Sequence, residues 1–176
     1  MAKKEEYTKK ELRQHIYDTP DTYAGGSDLI TETLPIVLED GSISFKDIEY
    51  IPVLYNIFNE ILVNARDQII RLEGVKDAAQ VSHIKVTYDT ETGEWSILND
   101  GQGISIEKHS SENIYNPELI FGRLLTSSNY DKDEKKIVGG KNGYGAKLTN
   151  IFSTFFKVET VDHINELKYT QEFHNN

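Results

Sequence analysis

A chain of 176 residues suits one domain with one core, and the absence of cysteine excludes disulfides, zinc–thiolate clusters and a cysteine nucleophile. With 38% hydrophobic and 27% charged residues it reads as globular rather than disordered, and no apolar run approaches the roughly 20 residues of a membrane span. The formal net charge of −10 argues against a surface that grips duplex DNA by itself, and MAKKEEYTKK lacks the apolar core of a secretory signal.

The first predicted element is a short helix over residues 8–17. Thr8 and Glu11 stand at capping-box spacing, and Leu12 and Ile16 form its inward side. Thr19 to Gly26 is turn chemistry, and residues 28–49 read as extended pieces around a turn at Asp40-Gly41. Residues 52–73 carry the strongest helical pattern. Leu54, Ile57, Phe58, Ile61, Leu62, Ala65, Ile69 and Leu72 recur at i, i+3, i+4 spacing, with Pro52 at the start and Gly74 at the stop. Glu60, Asn64 and Asp67 form a polar stripe bordering that apolar arc. An acid and an amide there can be held firmly and half-desolvated, although a lone E-x-x-x-N is most often a solvated face.

Val81–Asp89 alternates as a strand, with Ile84, Val86 and Tyr88 on one side. After a turn at Thr90–Gly93, Glu94–Leu98 returns and runs into Asn99-Asp100-Gly101-Gln102-Gly103. A strand ending in a polar pair and two spaced glycines either places side chains at a ligand or simply turns. Pro117–Leu125 reads as a helix with Leu119, Ile120 and Leu124 inward, and Asp131–Lys136 as a charged surface segment. Gly139, Gly140, Gly143 and Gly145 then open a helix from about Ala146 to Phe152. Glycines let backbone N–H groups approach an anion, the helix start adds partial positive charge, and Lys147 adds a full one. Neither the P-loop nor the Rossmann pattern fits this spacing. Phe155–Asp162 and Glu166–Phe173 close the chain as strands, and the five histidines show no ligand spacing.

The helix stripe, the strand-end glycines and the glycine loop with Lys147, in that order, resemble the GHKL ATPases. The stripe matches that family's N box, Asp100–Gly103 its DxGxG box, and Gly139–Lys147 its ATP lid. PDTYAGGS at Pro20–Ser27, EILVNA at Glu60–Ala65, LIFGRLLTSSNYD at Leu119–Asp131 and GGKNGYGAKLTNIFST at Gly139–Thr154 resemble one branch more closely. That branch is the eukaryotic-type type II DNA topoisomerases, those of large DNA viruses included.

The resemblance implies an α+β fold, a GHKL (Bergerat-type) two-layer sandwich with a mixed β-sheet backed by helices and lacking the last strand and helix. Residues 1–27 would form an arm and strap, and 28–176 a truncated ATP-binding domain without the transducer and DNA-cleavage domains. The cofactors implied are ATP and Mg²⁺, and the function is an ATP-hydrolysing N-terminal gate. Glu60 would be the general base, Asn64 the Mg²⁺ ligand, Asp67 its support and Asn99 the adenine- or ribose-side contact. Ser127, Ser128 and Asn129 would meet ribose and phosphate. Gly140, Lys141, Asn142, Gly143, Tyr144, Gly145, Ala146 and Lys147 would form the lid, and Tyr7 would reach nucleotide in the partner subunit.

Further implications are a homodimer closed by ATP, DNA held through domains not present here, no membrane, and an intracellular setting, either a nucleus or a virus-infected host cell. Gln68 departs from the Asn of close relatives, and Lys141 from Arg, which loses a bidentate fork on phosphate. The lysine that the family's transducer domain brings to the γ-phosphate lies beyond this chain. The alternative reading is therefore a non-catalytic ATP-binding dimerisation or regulatory module, or an inactive fragment; the intact Glu60 argues against pure binding.

Overall fold

The structure, a computed structural model, describes residues 10–124 and 144–175. The elements run α1 (Leu12–Asp18), α2 (Pro20–Tyr23), β1 (Ile30–Val37), β2 (Ile43–Tyr50), α3 (Pro52–Leu72), β3 (Ile84–Tyr88) and β4 (Trp95–Asn99). They continue with α4 (Asn116–Gly122), α5 (Gly145–Ile151), β5 (Phe155–Asp162) and β6 (Leu167–His174). The chain forms two compact units that divide between Asn56 and Ile57.

In the first unit, α1 starts at Leu12, with Glu11 in extended backbone at the cap and no side-chain cap bond. Glu11 therefore cannot serve as the third residue of a capping box begun at Thr8, and Thr8 itself lies outside the described residues. Ile16 is fully buried as expected, whereas Leu12 stays partly exposed. The turn chemistry at Pro20 winds into one helical turn, because proline presets φ at a first helical position. Gly25 follows at φ +106°, where a Cβ would press on Asn56 and Pro52. Residues 24–26 are tied to the first turn of α3 by Val53 N–H donating to the Gly26 carbonyl (3.1 Å) and Asn56 Nδ2 donating to the Ala24 carbonyl (2.7 Å). β1 and β2 form an antiparallel hairpin that pairs Ile30 with Tyr50 and Val37 with Ile43. Gly41 turns it at φ +81°, as Asp40-Gly41 predicts.

The second unit holds the rest of α3, which ends as the periodicity predicts. Gly74 takes φ +73° just beyond it, and Gln80 Nε2 donates to the orphan Leu72 carbonyl (2.8 Å). β3 pairs antiparallel with β4, from Ile84 opposite Asn99 to Tyr88 opposite Trp95, and Trp95 meets Phe58 of α3 edge-on. β5 pairs antiparallel with β6, from Phe155 opposite His174 to Asp162 opposite Leu167. The rings of Phe121, Phe156 and Phe173 bring the end of α4 onto this second hairpin. Three corrections concern helices. α4 begins at Asn116 and ends at Gly122, its buried residue is Pro117, and Ile120 is exposed. Leu54 and Ile69, expected inward on α3, are also exposed.

The single mixed sheet is not what the described strands form: they pair as three separate antiparallel hairpins. One place without a ladder lies after β4. Gly103–Ile106 runs beside β5, yet side chains rather than a backbone ladder take its amides. Ile104 N–H donates to Thr160 Oγ1 (3.0 Å), and Ile106 N–H donates to the buried carboxylate of Asp162 (2.8 Å).

Candidate active site

α3 carries Glu60, Asn64, Asp67 and Gln68 along one side of the helix. Glu60 is half-buried, and burial raises its carboxyl above the usual carboxylate range. Asn64, one turn on, is also half-buried. Asp67 is fully buried, with Arg66 Nη1 3.6 Å from its Oδ1. The stripe thus runs inward along the helix.

Opposite Glu60 stands the opening of α5. A Cβ at Gly145 would overlap the Glu60 carboxylate, so only glycine lets the two approach this closely. Every residue from Ala146 to Ile151 is buried. Thr149 Oγ1 donates to the Ile57 carbonyl of α3 (2.7 Å), and Asn150 Nδ2 donates to the Phe121 carbonyl of α4 (3.0 Å). These bonds pin α5 to both neighbouring helices. Lys147 is 6% exposed, and burial lowers its ammonium from 10.5 to about 8. A carboxylate and an ammonium, each pushed toward its neutral form, therefore stand at the junction of α3 and α5.

The strand-end loop completes the group. Asn99 closes β4 and is half-buried, its Nδ2 donating to the Asp100 carbonyl (3.0 Å). Asp100 is a clamp within the loop. Its carboxylate accepts the Ser82 hydroxyl and the Ser82 and His83 amides, and lies 3.1 Å from His83 Nδ1. These bonds, the Ser82 hydroxyl first, hold it well below the usual carboxylate range. Gly101 takes φ +86° against the backbone of residues 79–81, and a Cβ at Gly103 would overlap the Val161 carbonyl. Gln102 N–H donates to the Ala79 carbonyl (2.7 Å), and Gln68 Nε2 donates to the Gln102 carbonyl (3.0 Å).

The structure therefore brings together Glu60 and the Gly145–Lys147 start of α5, and ties the loop that follows Asn99 to α3. Tyr144 precedes α5, and its carbonyl accepts the Leu148 amide (2.8 Å). Tyr7, Ser127, Ser128, Asn129, Gly140, Lys141, Asn142 and Gly143 lie outside the described residues. Sequence reasoning missed Thr149, Asn150 and the bond of Gln68. Only Gln68 left a signal: it follows Asn64 by four residues, as Asn64 follows Glu60. No group of three or more His, Asp or Glu able to hold a metal occurs among the described residues.

No protein-family model matches the chain. Among individual proteins, it is 48% identical over 170 residues to mouse DNA topoisomerase 2-alpha, covering 97% of this chain and 11% of that protein. It is 49% identical over 173 residues to DNA topoisomerase 2 of Candida albicans, covering 98% and 11%. With DNA topoisomerase 2 of Acanthamoeba polyphaga mimivirus, identity is 46% over 177 residues, covering 98% and 14%. The chain thus spans about a tenth of the length of the curated relatives it matches.

Of the solved structures, the ATPase region of Saccharomyces cerevisiae topoisomerase II superposes with a TM-score of 0.88 at 46% identity, over 96% of this chain and 43% of that one. The ATPase and transducer domains of Balamuthia mandrillaris topoisomerase II give 0.89 at 44%, over 97% and 42%. The fold is therefore that of a topoisomerase ATPase region. The chain is homologous, over nearly its whole length, to the ATPase region of eukaryotic and viral type II DNA topoisomerases.

Proposed function

We propose that this chain binds ATP with Mg²⁺ and hydrolyses it as the N-terminal gate of a type II DNA topoisomerase, with the GHKL division of labour among its residues. The observation that carries the reading is the approach of Gly145 to the half-buried Glu60 carboxylate, with Lys147 in the first turn of the same helix. A general base needs a carboxylate in reach of water, with a pKa drawn toward neutrality; desolvation supplies that shift here. Lys147, Tyr144, Gly145 and Ala146 would meet the phosphates, joined by residues 140–143. Ser127, Ser128 and Asn129 would meet ribose and phosphate, and Asn99 the adenine or ribose side. Tyr7 would reach the partner's nucleotide, within an arm and strap of residues 1–27.

The donor set fits the metal. Mg²⁺ takes oxygen ligands and keeps several waters, so the Asn64 amide oxygen and the nucleotide's own oxygens suffice, with Asp67 as buried support. When bound, Mg²⁺ would neutralise charge developing on the phosphates. The chain's residues would orient the nucleotide, exclude water and hold the proton at Glu60. ATP would draw two copies together, and DNA would be engaged by parts of the enzyme outside this chain. The relatives' sources point to a nucleus or a virus-infected host cell. No helix among the described residues is long and apolar enough to cross a membrane.

The test combines calorimetric titration of a non-hydrolysable ATP analogue with Mg²⁺ and a phosphate-release assay, on the wild type and Glu60→Gln. The expected outcome is one nucleotide per chain for both, with turnover lowered by about 10²-fold or more in the variant. Equal loss of binding and turnover would remove Glu60 from the role of base.

A further inference from the structure

The glycine loop of residues 99–104 is fixed at several atoms. Asp100 clamps it to Ser82 and His83, Gln102 N–H holds Ala79, and Ile104 N–H holds Thr160. Those anchors sit in the segment before β3 and in β5. Gln68 differs, because it belongs to α3 and comes two turns after Glu60 and one after Asn64. Its Nε2 reaches the Gln102 carbonyl at 3.0 Å from a half-buried position. One helix side therefore carries, in four-residue steps, the carboxylate facing Gly145, an amide, and the amide that grips the loop following Asn99.

We propose that Gln68 is a positioning residue for nucleotide selectivity, setting the distance between Asn99 at the base and Glu60 and Asn64 at the phosphates. The proposal rests on the nucleotide-binding reading given above. The physical basis is rigidity. A half-buried carbonyl that loses its donor is left to find water, and the loop gains freedom at Gln102. Asn99 hangs on that loop through the Asn99 Nδ2 bond to the Asp100 carbonyl, so its own placement loosens. A base contact that moves by a fraction of an ångström reads adenine and guanine more alike. Phosphate contacts on α3 and α5 stay where they are, because Thr149 pins α5 to the Ile57 carbonyl independently of the loop.

The experiment titrates this chain with Mg²⁺ and either a non-hydrolysable ATP analogue or its GTP counterpart, for wild type, Gln68→Leu and Gln68→Glu. Gln68→Glu keeps the side-chain shape but replaces the donor with a carboxylate facing a carbonyl, so it decides the matter if Gln68→Leu fails to fold. The expected result is a fall of about tenfold in the ratio of ATP-analogue to GTP-analogue affinity in both variants, the loss of roughly one hydrogen bond. GTP-analogue affinity itself should change little. If Gln68 merely stabilises the fold, the melting midpoint drops while the ratio holds, and that outcome overturns the proposal. Failure of the wild type to bind either analogue overturns the nucleotide reading itself, and this assignment with it.

Discussion

At the scale of single residues, Lys147 and Glu60 share one physical cause with opposite signs. Burial disfavours whichever form is charged, so it lowers the ammonium to about 8 and raises the carboxyl. For Lys147 the folded state binds fewer protons than the unfolded one between pH 8 and 10.5. The cost of holding its charge is thus fully present below pH 8, and stability rises as pH climbs through that window. A triphosphate placed at the start of α5 reverses this. Opposite charge favours the ammonium, so the pKa climbs and a proton is taken up. At pH 8 about half the free population is uncharged, so nucleotide binding should consume up to about half a proton per site. The checking measurement is the calorimetric binding enthalpy in two buffers of different ionisation enthalpy. The uptake should shrink at pH 6.5 and vanish in Lys147→Met. An identical uptake in that variant would assign the proton to another group.

At the scale of elements, close approaches decide more than propensities do. The segment after β4 lies so near β5 that a methyl group at Gly103 would overlap the Val161 carbonyl, which belongs to a strand and cannot swing aside. Gly103→Ala should therefore cost roughly 1–3 kcal/mol, read as a lowered urea midpoint. Gly26→Ala meets nothing within 4 Å and should stay within about 0.5 kcal/mol of wild type. The same distinction explains what was legible beforehand. α3, the β1–β2 turn, and the spans of β5 and β6 follow from periodicity, Asp-Gly turn chemistry and alternation, which are local. Leu54 and Ile69 belong to the helical pattern yet lie exposed, because periodicity reports an apolar side without saying which of its residues find a partner. The buried Asp67, the Asp100 clamp and the grip of Gln68 on Gln102 depend on pairing between distant segments, which no window of sequence contains. Helical spacing marked Glu60 and Asn64 and the glycine loop marked Lys147, while the roles proposed for them came from the resemblance. What brings Glu60 and Gly145 together, the Thr149 and Asn150 bonds that seat α5, left no such mark.

At the scale of the whole molecule, net charge governs association. Each chain carries −10, and bound nucleotide would add more negative charge, so under the proposed ATP-driven closure two copies would approach against mutual repulsion. Salt shortens the range of that repulsion from roughly 10 Å at 0.1 M to shorter distances at higher ionic strength, while leaving apolar contacts intact. Dimerisation of this chain, measured by sedimentation velocity with Mg²⁺ and the non-hydrolysable ATP analogue, should therefore tighten as salt rises from about 50 to 300 mM. Cationic side chains meeting phosphate across the interface would act in the opposite direction, since salt weakens opposite-charge contacts. A dimer that loosens over this range would show that specific ion pairs outweigh net repulsion. Tightening would show that apolar contact carries the closure, with the acidic surface keeping the nucleotide-free chains apart.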